Sequence, residues 1–251
     1  MNKRQKEILN YINQKAEVSI HELISEFEKS EQTIRNDLRT LSENGKITRI
    51  YGGALSKYPF SESSYSNRKN ENISVKRSVG KKASEFIENG DIIYMDAGTS
   101  VLSIIDFLPQ DININVFTCG IHIADALCKF ENVEVHVIGG LLNKNLKELY
   151  GPKAISEIKK LKFDKMFLSV SSFNTEAGLF ENHIFSSEIK KEVIQVTSKI
   201  YAICDATKEN KIGIDKVANW NQINTVIIDE HVSEEAIRSF QSHNIEYHIA
   251  K

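Results

Sequence analysis

Cysteine, proline and net charge are all scarce in this sequence of 251 residues. It has three cysteines and three prolines, and 34 acidic residues nearly balance 32 lysines and arginines, which leaves a net charge of -2. Cys119, Cys128 and Cys204 lie far apart without a C-x-x-C pair, so neither a disulfide framework nor a zinc site is indicated, and we expect no metal or cofactor. Without overall positive charge, binding to nucleic acid would have to depend on a local patch and a motif.

Long apolar runs are also missing. Nothing approaches the roughly 18 consecutive apolar residues of a membrane-spanning helix, and Glu7, Asn10 and Asn13 interrupt the apolar core that a signal peptide would need. The residues present, 41% hydrophobic and 26% charged, are typical of a globular protein. We therefore expect a cytoplasmic protein with no membrane partner, long enough for one large domain or two unequal ones.

Three helical patterns open the chain. Apolar residues recur at helical spacing in residues 8–12, and Ser19 with Glu22 forms a capping box at the start of a second helix. Ser30 opens a third helix, in which Ile34, Leu38 and Leu41 form the apolar stripe, and Gly45 is placed to end it. The alternating residues 46–51 and the pair Gly52-Gly53 then predict a β-hairpin wing. Residues 1–56 therefore predict a winged helix-turn-helix domain.

The remaining chain divides into a polar segment and an alternating α/β pattern. Residues 57–75 are rich in serine and asparagine, contain Pro59 and have little to bury, so they predict a linker. From 76 to 251, strand-like and helical stretches alternate, which predicts a doubly wound, mostly parallel α/β domain. The strand-like runs are 92–95, 116–118, 133–138, 165–170, 200–204 and 225–228.

The third helix carries side chains suited to DNA. Arginine can bridge guanine, asparagine and glutamine can bridge adenine, and hydroxyls at a helix N-terminus suit phosphate oxygens. Residues 29–57 hold six basic and three acidic residues, a local net charge of +3, whereas residues 1–56 together carry only +1. The predicted contacts to operator DNA are Ser30, Gln32, Thr33, Arg35, Asn36, Arg39, Lys46 and Arg49.

Two local alternatives stay open at this point. The polar face of the third helix could simply be solvated, although the tri-helical order and the wing favour DNA binding. Asp37 would face phosphate badly if it were exposed, so we expect it to cap or pair inside the domain. In the α/β region, Asp96-Ala97-Gly98-Thr99-Ser100 ends a buried strand where a helix begins. This turn is suited to a phosphate, but it could equally be a tight turn whose hydroxyls only cap the helix.

The motifs resemble those of one family. The stretches S-E-Q-T-I-R-N-D-L at 30–38 and L-S-E-N-G-K-I-T-R-I-Y-G-G-A at 41–54 are similar to the signature of the DeoR (deoxyribose operon repressor) family of winged-helix regulators. Asn36 departs from the second arginine usual in that family, which affects the expected operator sequence.

Residues 76–251 resemble the sensor domain of the same family, which is similar in fold to ribose-5-phosphate isomerase and glucosamine-6-phosphate deaminase. The resemblance implies a phosphorylated sugar effector, bound at the carboxyl ends of the strands. The effector-binding residues it implies are Lys76, Asp96, Gly98, Thr99, Ser100, Cys119, Gly139, Gly140, Lys190, Asp205 and Lys208. Cys119 departs from the usual asparagine, and Ser186 replaces the glutamate that would partner Lys190.

Three functions compete at this stage. The favoured one is a regulator of a sugar operon, most simply a repressor, that assembles as a homo-oligomer to bind repeated half-sites. An isomerase or amino-sugar-phosphate deaminase is the rival, against which stand the attached winged helix and the lack of an acid-base pair in the motifs. A scaffold with a degraded pocket is the third. Cys119 fits a small packing residue better than a nucleophile, and His122 fits a satisfied or solvated histidine better than a ligand contact.

Overall fold

The computed structural model describes residues 1–15, 17–57, 65–211 and 213–251, apart from the side chain of Gln14. The chain divides into two compact units, Met1–Ser63 and Ser64–Lys251. No helix among the described residues has the length and hydrophobicity to cross a bilayer.

The first unit combines three helices with a small antiparallel sheet. Its sheet has the strand order β1-β3-β2, and its core contains the apolar residues of all three helices. Ser19 and Glu22 form the predicted capping box, and Ser30 caps the third helix. These elements confirm the winged helix-turn-helix prediction. In chain order they are α1 (Lys3–Lys15), β1 (Glu17–Ser19), α2 (Ile20–Phe27), α3 (Glu31–Glu43), β2 (Ile47–Ile50) and β3 (Gly53–Ser56).

The second unit is an α/β domain with two added antiparallel pieces. In chain order its elements are α4 (Tyr65–Asn70), α5 (Ile73–Ser84), β4 (Ile92–Met95), α6 (Thr99–Leu102), β5 (Ile114–Thr118), α7 (Ile121–Leu127), β6 (Val133–Val137), β7 (Leu141–Asn143), β8 (Glu148–Tyr150), α8 (Pro152–Ile158), β9 (Phe163–Ser169), β10 (Ser172–Asn174), β11 (Gly178–Glu181), α9 (Ile184–Gln195), β12 (Thr197–Ile203), β13 (Asp215–Ala218), β14 (Thr225–Asp229), α10 (Glu234–Ser242) and β15 (Glu246–Ala250). Short 3-10 helices lie at Ile105–Phe107, Ala206–Lys208 and Trp220–Gln222.

A parallel sheet of seven strands forms the centre of this unit. Its order is β15-β14-β12-β9-β4-β5-β6, and every pairing is parallel. Alternate residues of β4 enter different cores: Tyr94 packs with α9 on one face, and Ile93 and Met95 pack with α5 on the other. The sheet is therefore covered on both faces, as predicted, and all six predicted strands belong to it. The edge strand β15 was not predicted.

The order of the strands reverses between β4 and β9. From β4 the sheet continues through β5 and β6, and from β9 it continues the other way through β12, β14 and β15. Open α/β sheets bind ligands outside the carboxyl ends of the strands at such a switch point. The antiparallel hairpin β7-β8 and the small sheet β10-β11-β13 were not predicted, and each supplies a residue to this region.

The predicted linker differs from the structure in its second half. Residues 58–64 lie outside the described residues, but residues 65–75 contain α4 and the start of α5 and belong to the second unit. Tyr65 is buried, with its ring 4.2 Å from that of His122, and its backbone N–H donates to the carbonyl oxygen of Asn145 at 2.9 Å. The prediction of a linker rested on polar composition. Composition does not show that a single aromatic side chain, Tyr65, anchors the segment to the second unit.

Candidate functional site

The predicted DNA-contacting residues lie on α3 and its N-cap Ser30, or on β2 and the residue before it, Lys46. The helix buries Ile34, Leu38 and Leu41 in the core of the first unit. All eight predicted contacts are at least partly exposed: Ser30, Gln32, Thr33, Arg35, Asn36, Arg39, Lys46 and Arg49. An exposed polar helix face beside a hairpin is the arrangement with which winged helices enter a major groove.

Exposed contacts link several of these side chains to one another. Arg35 pairs with Glu31 one turn earlier, with 2.7 Å between Nη2 and Oε1. The amide oxygen of Asn36 accepts hydrogen bonds from Arg39 at 3.2 Å and from Gln32 at 3.4 Å. Such solvent-exposed contacts are weak, so these side chains can exchange them for base or phosphate partners.

Asp37 is the exception on this helix, because it is buried. Its carboxylate accepts from Arg4 Nε at 2.6 Å and from the Gln5 amide at 3.1 Å, both on α1. This hydrogen bond and the charge of Asp37 raise the pKa of Arg4 above its ordinary value. The expectation that Asp37 pairs within the domain is confirmed, and the pair fixes α3 against α1.

Asp96 lies at the switch point of the parallel sheet. This residue follows β4 directly and is fully buried, and its Oδ2 accepts the backbone N–H of Ser169 at 3.0 Å and also the Ser169 hydroxyl. Because Ser169 ends β9, the contact joins the carboxyl ends of the two strands that flank the switch point.

Lys190 neutralises this buried position from α9. Its ammonium group lies 3.3 Å from Asp96 Oδ2, donates to the carbonyl oxygen of Ser169 at 2.9 Å and pairs with Glu181 at the end of β11. Burial alone would lower the pKa of Lys190, but attraction by Asp96, Glu181 and Glu148 raises it above its ordinary value. Burial would likewise raise the pKa of Glu181, but Lys190 lowers it. The pair is therefore ionised.

Glu148 supplies a further buried carboxyl group. It lies on β8, its Oε2 accepts the hydroxyl of Ser186, and only 4% of the residue is exposed. Burial, together with repulsion from Asp96, raises the pKa of Glu148 to about 8. The glutamate that the resemblance leads one to expect at position 186 is thus absent, but a carboxyl group from another element lies against the serine in its place. We call Asp96, Glu148, Glu181 and Lys190 the carboxyl cluster.

The turn after Asp96 approaches β9 closely. A Cβ on Gly98 would collide with the side chain of Ser169, so glycine is required there. Gly98 is the N-cap of α6, which starts with Thr99 and Ser100, and these are 8% and 2% exposed. Because glycine has no side chain, the N-cap residue makes no side-chain hydrogen bond to this helix. The turn at Gly98, Thr99 and Ser100 therefore lies directly beside the carboxyl cluster, because Asp96 belongs to that cluster.

A second group of charges surrounds Lys76 on α5. Its ammonium group donates to two backbone carbonyl oxygens, that of Arg68 and, at 2.7 Å, that of Glu71. Arg68 lies in the last turn of α4, and Glu71 directly follows this helix. Burial, together with repulsion from Lys208, lowers the pKa of Lys76 to about 8. Asp205 lies 3.6 Å from the Lys208 ammonium group. The carbonyl oxygen of Lys76 also accepts the hydroxyl of Ser103 at 2.6 Å, and α5 and α4 both pack against α6. The structure thus brings together Lys76, Asp205, Lys208 and the helix that Thr99 begins.

The remaining predicted residues differ in their placement. Gly140 lies beside the backbone of Tyr150 in the β7-β8 hairpin, and Gly139 has open space around it; no described contact joins either glycine to the carboxyl cluster. Cys119 is buried at the end of β5, and burial raises the pKa of its thiol to about 12, which favours a packing role over a nucleophile. His122 is buried under Tyr65, and burial lowers its pKa to about 4.

Sequence reasoning missed Glu148 and Glu181. Both belong to antiparallel additions outside the main sheet, and neither stands at a regular spacing from Asp96 or Lys190. Ser186 was the available signal: a serine where Lys190 was expected to have an acidic partner implies that a carboxyl group comes from elsewhere.

Comparison with known proteins identifies the family. Residues 4–59 match the family model described as the DeoR-like helix-turn-helix domain, and residues 71–230 match the DeoR C terminal sensor domain. Together these models cover most of the chain, in the order that the structure shows. The chain belongs to the DeoR family. The resemblance of its two motif regions to that family is confirmed.

Relatives of this DeoR-family chain are named as regulators. It is 28% identical to a putative aga operon transcriptional repressor of Escherichia coli O157:H7, over 97% of this chain and 91% of that protein. It is 26% identical to the HTH-type transcriptional regulator IolR of Bacillus subtilis, over 98% of both. It is 27% identical to the L-fucose operon activator of Haemophilus influenzae, again over 98% of both.

Solved structures similar to this chain include sugar-phosphate isomerases. Ribose 5-phosphate isomerase A from Neisseria gonorrhoeae has a TM-score of 0.40 and 15% identity, covering 53% of this chain and 52% of the other. The enzyme from Methanocaldococcus jannaschii has a TM-score of 0.42 and 12% identity, covering 55% of each.

Proposed function

We propose that this protein regulates a sugar-utilisation operon by binding operator DNA through α3 and the β2-β3 wing, and that a phosphorylated sugar bound by the second unit controls that affinity. The relatives named for the aga and L-fucose operons support the class of operon. One of these is a repressor and the other an activator, and we assign repression to this chain. The protein acts as a homo-oligomer in the cytoplasm, because paired winged helices are needed for repeated half-sites.

One observation carries the assignment of a phosphorylated ligand. Lys76 and Lys208 lie close enough for repulsion to lower the pKa of Lys76, and the group they form with Asp205 has a net positive charge. A phosphate group would relieve this repulsion, and the buried hydroxyls of Thr99 and Ser100 on the neighbouring helix supply neutral donors. The same group of residues therefore combines charge and hydrogen bonding suited to a phosphate.

The contacts of Lys76 also indicate how binding could alter DNA affinity. Without ligand, its ammonium group holds the carbonyl oxygens of Arg68 and Glu71 at the end of α4, the first helix after the DNA-binding unit in the chain. A phosphate competes for the same ammonium group and weakens that contact. The effector then favours a state in which α4 is released, with a coupling free energy of about 1 to 3 kcal/mol typical of allosteric proteins.

Two substitutions separate the parts of this switch. Thr99→Val removes a donor to the phosphate but leaves Lys76 on α4, so operator affinity should stay at the ligand-free value whether or not effector is added. Lys76→Ala removes the anchor itself, so operator affinity should stay at the effector-bound value. The measurement is operator binding by fluorescence anisotropy, with and without a sugar phosphate that stabilises the wild type in a thermal-shift screen. If either variant responds as the wild type does, the phosphate is not bound by these residues.

Effector binding should depend on pH through Lys76. The charged groups facing it are Lys208, Asp205, Glu71 and Arg68, and its pKa is about 8. Because an anion binds the charged ammonium form, affinity should fall as pH rises above 8. It should also fall below about pH 6, where a phosphate monoester loses its second charge. Calorimetric titration from pH 5.5 to 9.5 should give a bell-shaped affinity profile. Because Glu148 also has a pKa of about 8, the comparison is made in a Glu148→Gln background, where adding Lys76→Ala should remove the alkaline limb. An unchanged alkaline limb in that variant would contradict the assignment.

The rival assignment to an enzyme has one structural observation in its favour. The sequence motifs contain no acid-base pair, but the β7-β8 hairpin brings Glu148 near Asp96 and gives it a pKa of about 8. We nevertheless expect no turnover of ribose 5-phosphate or glucosamine 6-phosphate by the purified protein, since relatives that match nearly the whole chain are named as transcriptional regulators. Turnover that Glu148→Gln abolishes would establish the enzyme instead.

A further inference from the structure

The carboxyl group of Glu148 is held on one side only. Its Oε2 accepts the Ser186 hydroxyl, whereas Oε1 is buried and has no hydrogen-bond partner among the described residues. The hairpin fixes the residue in place, because the backbone of Glu148 pairs with Gly120 and the N–H of Leu149 donates to the carbonyl oxygen of Cys119 at 2.8 Å. The backbone contacts fix the main chain, and the Ser186 hydroxyl holds the carboxyl group at its end.

Asp96 shows the same asymmetry. Its Oδ2 takes both hydrogen bonds from Ser169, while its Oδ1 is buried without a partner in the described part of the chain. The two residues belong to one site: a Cβ on Gly120, which pairs with Glu148, would lie 3.0 Å from Cα of Ala97, the residue after Asp96. Repulsion between the two carboxyl groups also contributes to the raised pKa of Glu148.

The cluster contains more carboxyl groups than it can satisfy internally. It has three of them and one ammonium group, and Lys190 already contacts Asp96, Glu181 and the Ser169 carbonyl oxygen. A buried polar oxygen without a partner costs free energy comparable to a lost hydrogen bond. A ligand that brings hydrogen-bond donors removes this cost, whereas a second anion would increase the repulsion.

We propose that Glu148 is a specificity-determining residue of the effector site, whose free Oε1 and the free Oδ1 of Asp96 bind hydroxyl groups on the carbon chain of the sugar. This inference rests on the proposed function and extends it, because the phosphate is assigned to the Lys76 and Thr99 region and the hydroxyls to the carboxyl cluster. Ser186 acts as a positioning residue that holds Oε2 and directs Oε1.

The protonation of Glu148 favours a hydroxyl over an ammonium group. Burial and repulsion from Asp96 raise the pKa of Glu148 and so favour its protonated form, which offers both a donor and an acceptor. A hydroxyl group is likewise both a donor and an acceptor, so it matches a protonated carboxyl group. An ammonium group only donates and binds most strongly to the ionised form, which burial disfavours here.

The test separates binding of the phosphate group from binding of the sugar hydroxyls. Calorimetric titration at pH 7 would use inorganic phosphate, ribose 5-phosphate, fructose 6-phosphate, glucose 6-phosphate and glucosamine 6-phosphate. In Glu148→Ala, Kd for the tightest-binding sugar phosphate should rise at least tenfold, while Kd for inorganic phosphate stays within twofold of the wild type. Glu148→Gln, a neutral isostere, should remain within about threefold of the wild type for both. Glu157→Gln is the matched control, because it removes a carboxylate from the exposed face of α8 and should change neither value.

Folding of the variants is checked by their thermal unfolding without ligand. We expect Glu148→Gln to melt no lower than the wild type, since it removes a carboxyl group that is buried at a cost. Unchanged binding of inorganic phosphate by Glu148→Ala shows that this variant is folded, so its loss of sugar phosphate cannot be attributed to unfolding. Wild-type affinity of Glu148→Ala for the tightest sugar phosphate would overturn the inference. So would an equal loss of inorganic phosphate, because that result indicates a structural role only.

Two further results distinguish the underlying assignments. If glucosamine 6-phosphate binds more tightly than glucose 6-phosphate and Glu148→Gln removes this preference, the free oxygen binds an ammonium group and the hydroxyl assignment is overturned. If no sugar phosphate binds the wild type, the proposed function fails and this inference fails with it. If they bind the wild type and Glu148→Ala equally, the inference alone fails.

Discussion

Lys190→Met is expected to lower the free energy of unfolding of the second unit by about 3 to 5 kcal/mol, the usual cost of removing one partner from a buried ion pair. The ammonium group of Lys190 touches Asp96 and Glu181 and attracts Glu148, and all these side chains are buried. Methionine keeps much of the aliphatic volume but leaves the carboxyl groups without a counter-ion. Protonation would relieve this unpaired buried charge, so the loss of unfolding free energy should be smaller at pH 5 than at pH 8.

The neighbouring residue provides the control. Lys191 pairs with Asp215 at 2.7 Å, but its side chain is 40% exposed and that of Asp215 is 30% exposed. Lys191→Met should therefore cost less than about 1 kcal/mol. Differential scanning calorimetry of the full chain would measure both variants at pH 5, 7 and 8. Equal losses for Lys190→Met and Lys191→Met would show that burial does not distinguish the two pairs.

Arg35→Ala is expected to weaken specific operator binding by about 1 to 3 kcal/mol, because a bidentate contact to a base is lost. Arg35 is exposed and its described partner is Glu31, on the same helix, so melting of neither unit should change appreciably. Affinity for random DNA should fall much less. Lys46→Ala and Arg49→Ala in the wing should instead weaken specific and random DNA alike and reduce the salt dependence.

Arg238→Ala is the matched control for Arg35→Ala. Arg238 pairs with Glu234 at the same spacing of four residues on an exposed face of α10, with 3.4 Å between Nη1 and Oε2. Removing it takes away one positive charge and one exposed helical ion pair, and operator affinity should stay unchanged. Titration of a labelled operator and a scrambled duplex at several salt concentrations would separate the two variants. A loss of the same size for both duplexes would show that Arg35 contacts the DNA backbone and not a base.

Most of the fold could be predicted because its elements are specified by neighbouring residues. The helical periodicity of Ile34, Leu38 and Leu41 and the caps at Ser19 and Ser30 depend on residues three or four positions apart, and all are found in the structure. The six predicted strands were each rich in apolar and β-branched residues, and all lie in the parallel sheet. The segment 65–75 was the main error, since Tyr65 anchors it by contacts with His122 and Asn145, which are distant in the sequence.

The sequence by itself determined the helix-turn-helix, the alternating α/β pattern, the family and the turn at Asp96, because each depends on local spacing. Only the tertiary structure decided which charges meet. Asp37 finds Arg4 at 33 residues' separation, Asp96 finds Lys190 across the sheet, and Glu148 reaches Ser186 from a hairpin 38 residues earlier. Such contacts leave no periodic pattern in the sequence, since they depend on the order of the strands and on which side chains are buried together. The balance between carboxyl and ammonium groups in the buried site, and with it the free oxygen of Glu148, is therefore a property of the fold.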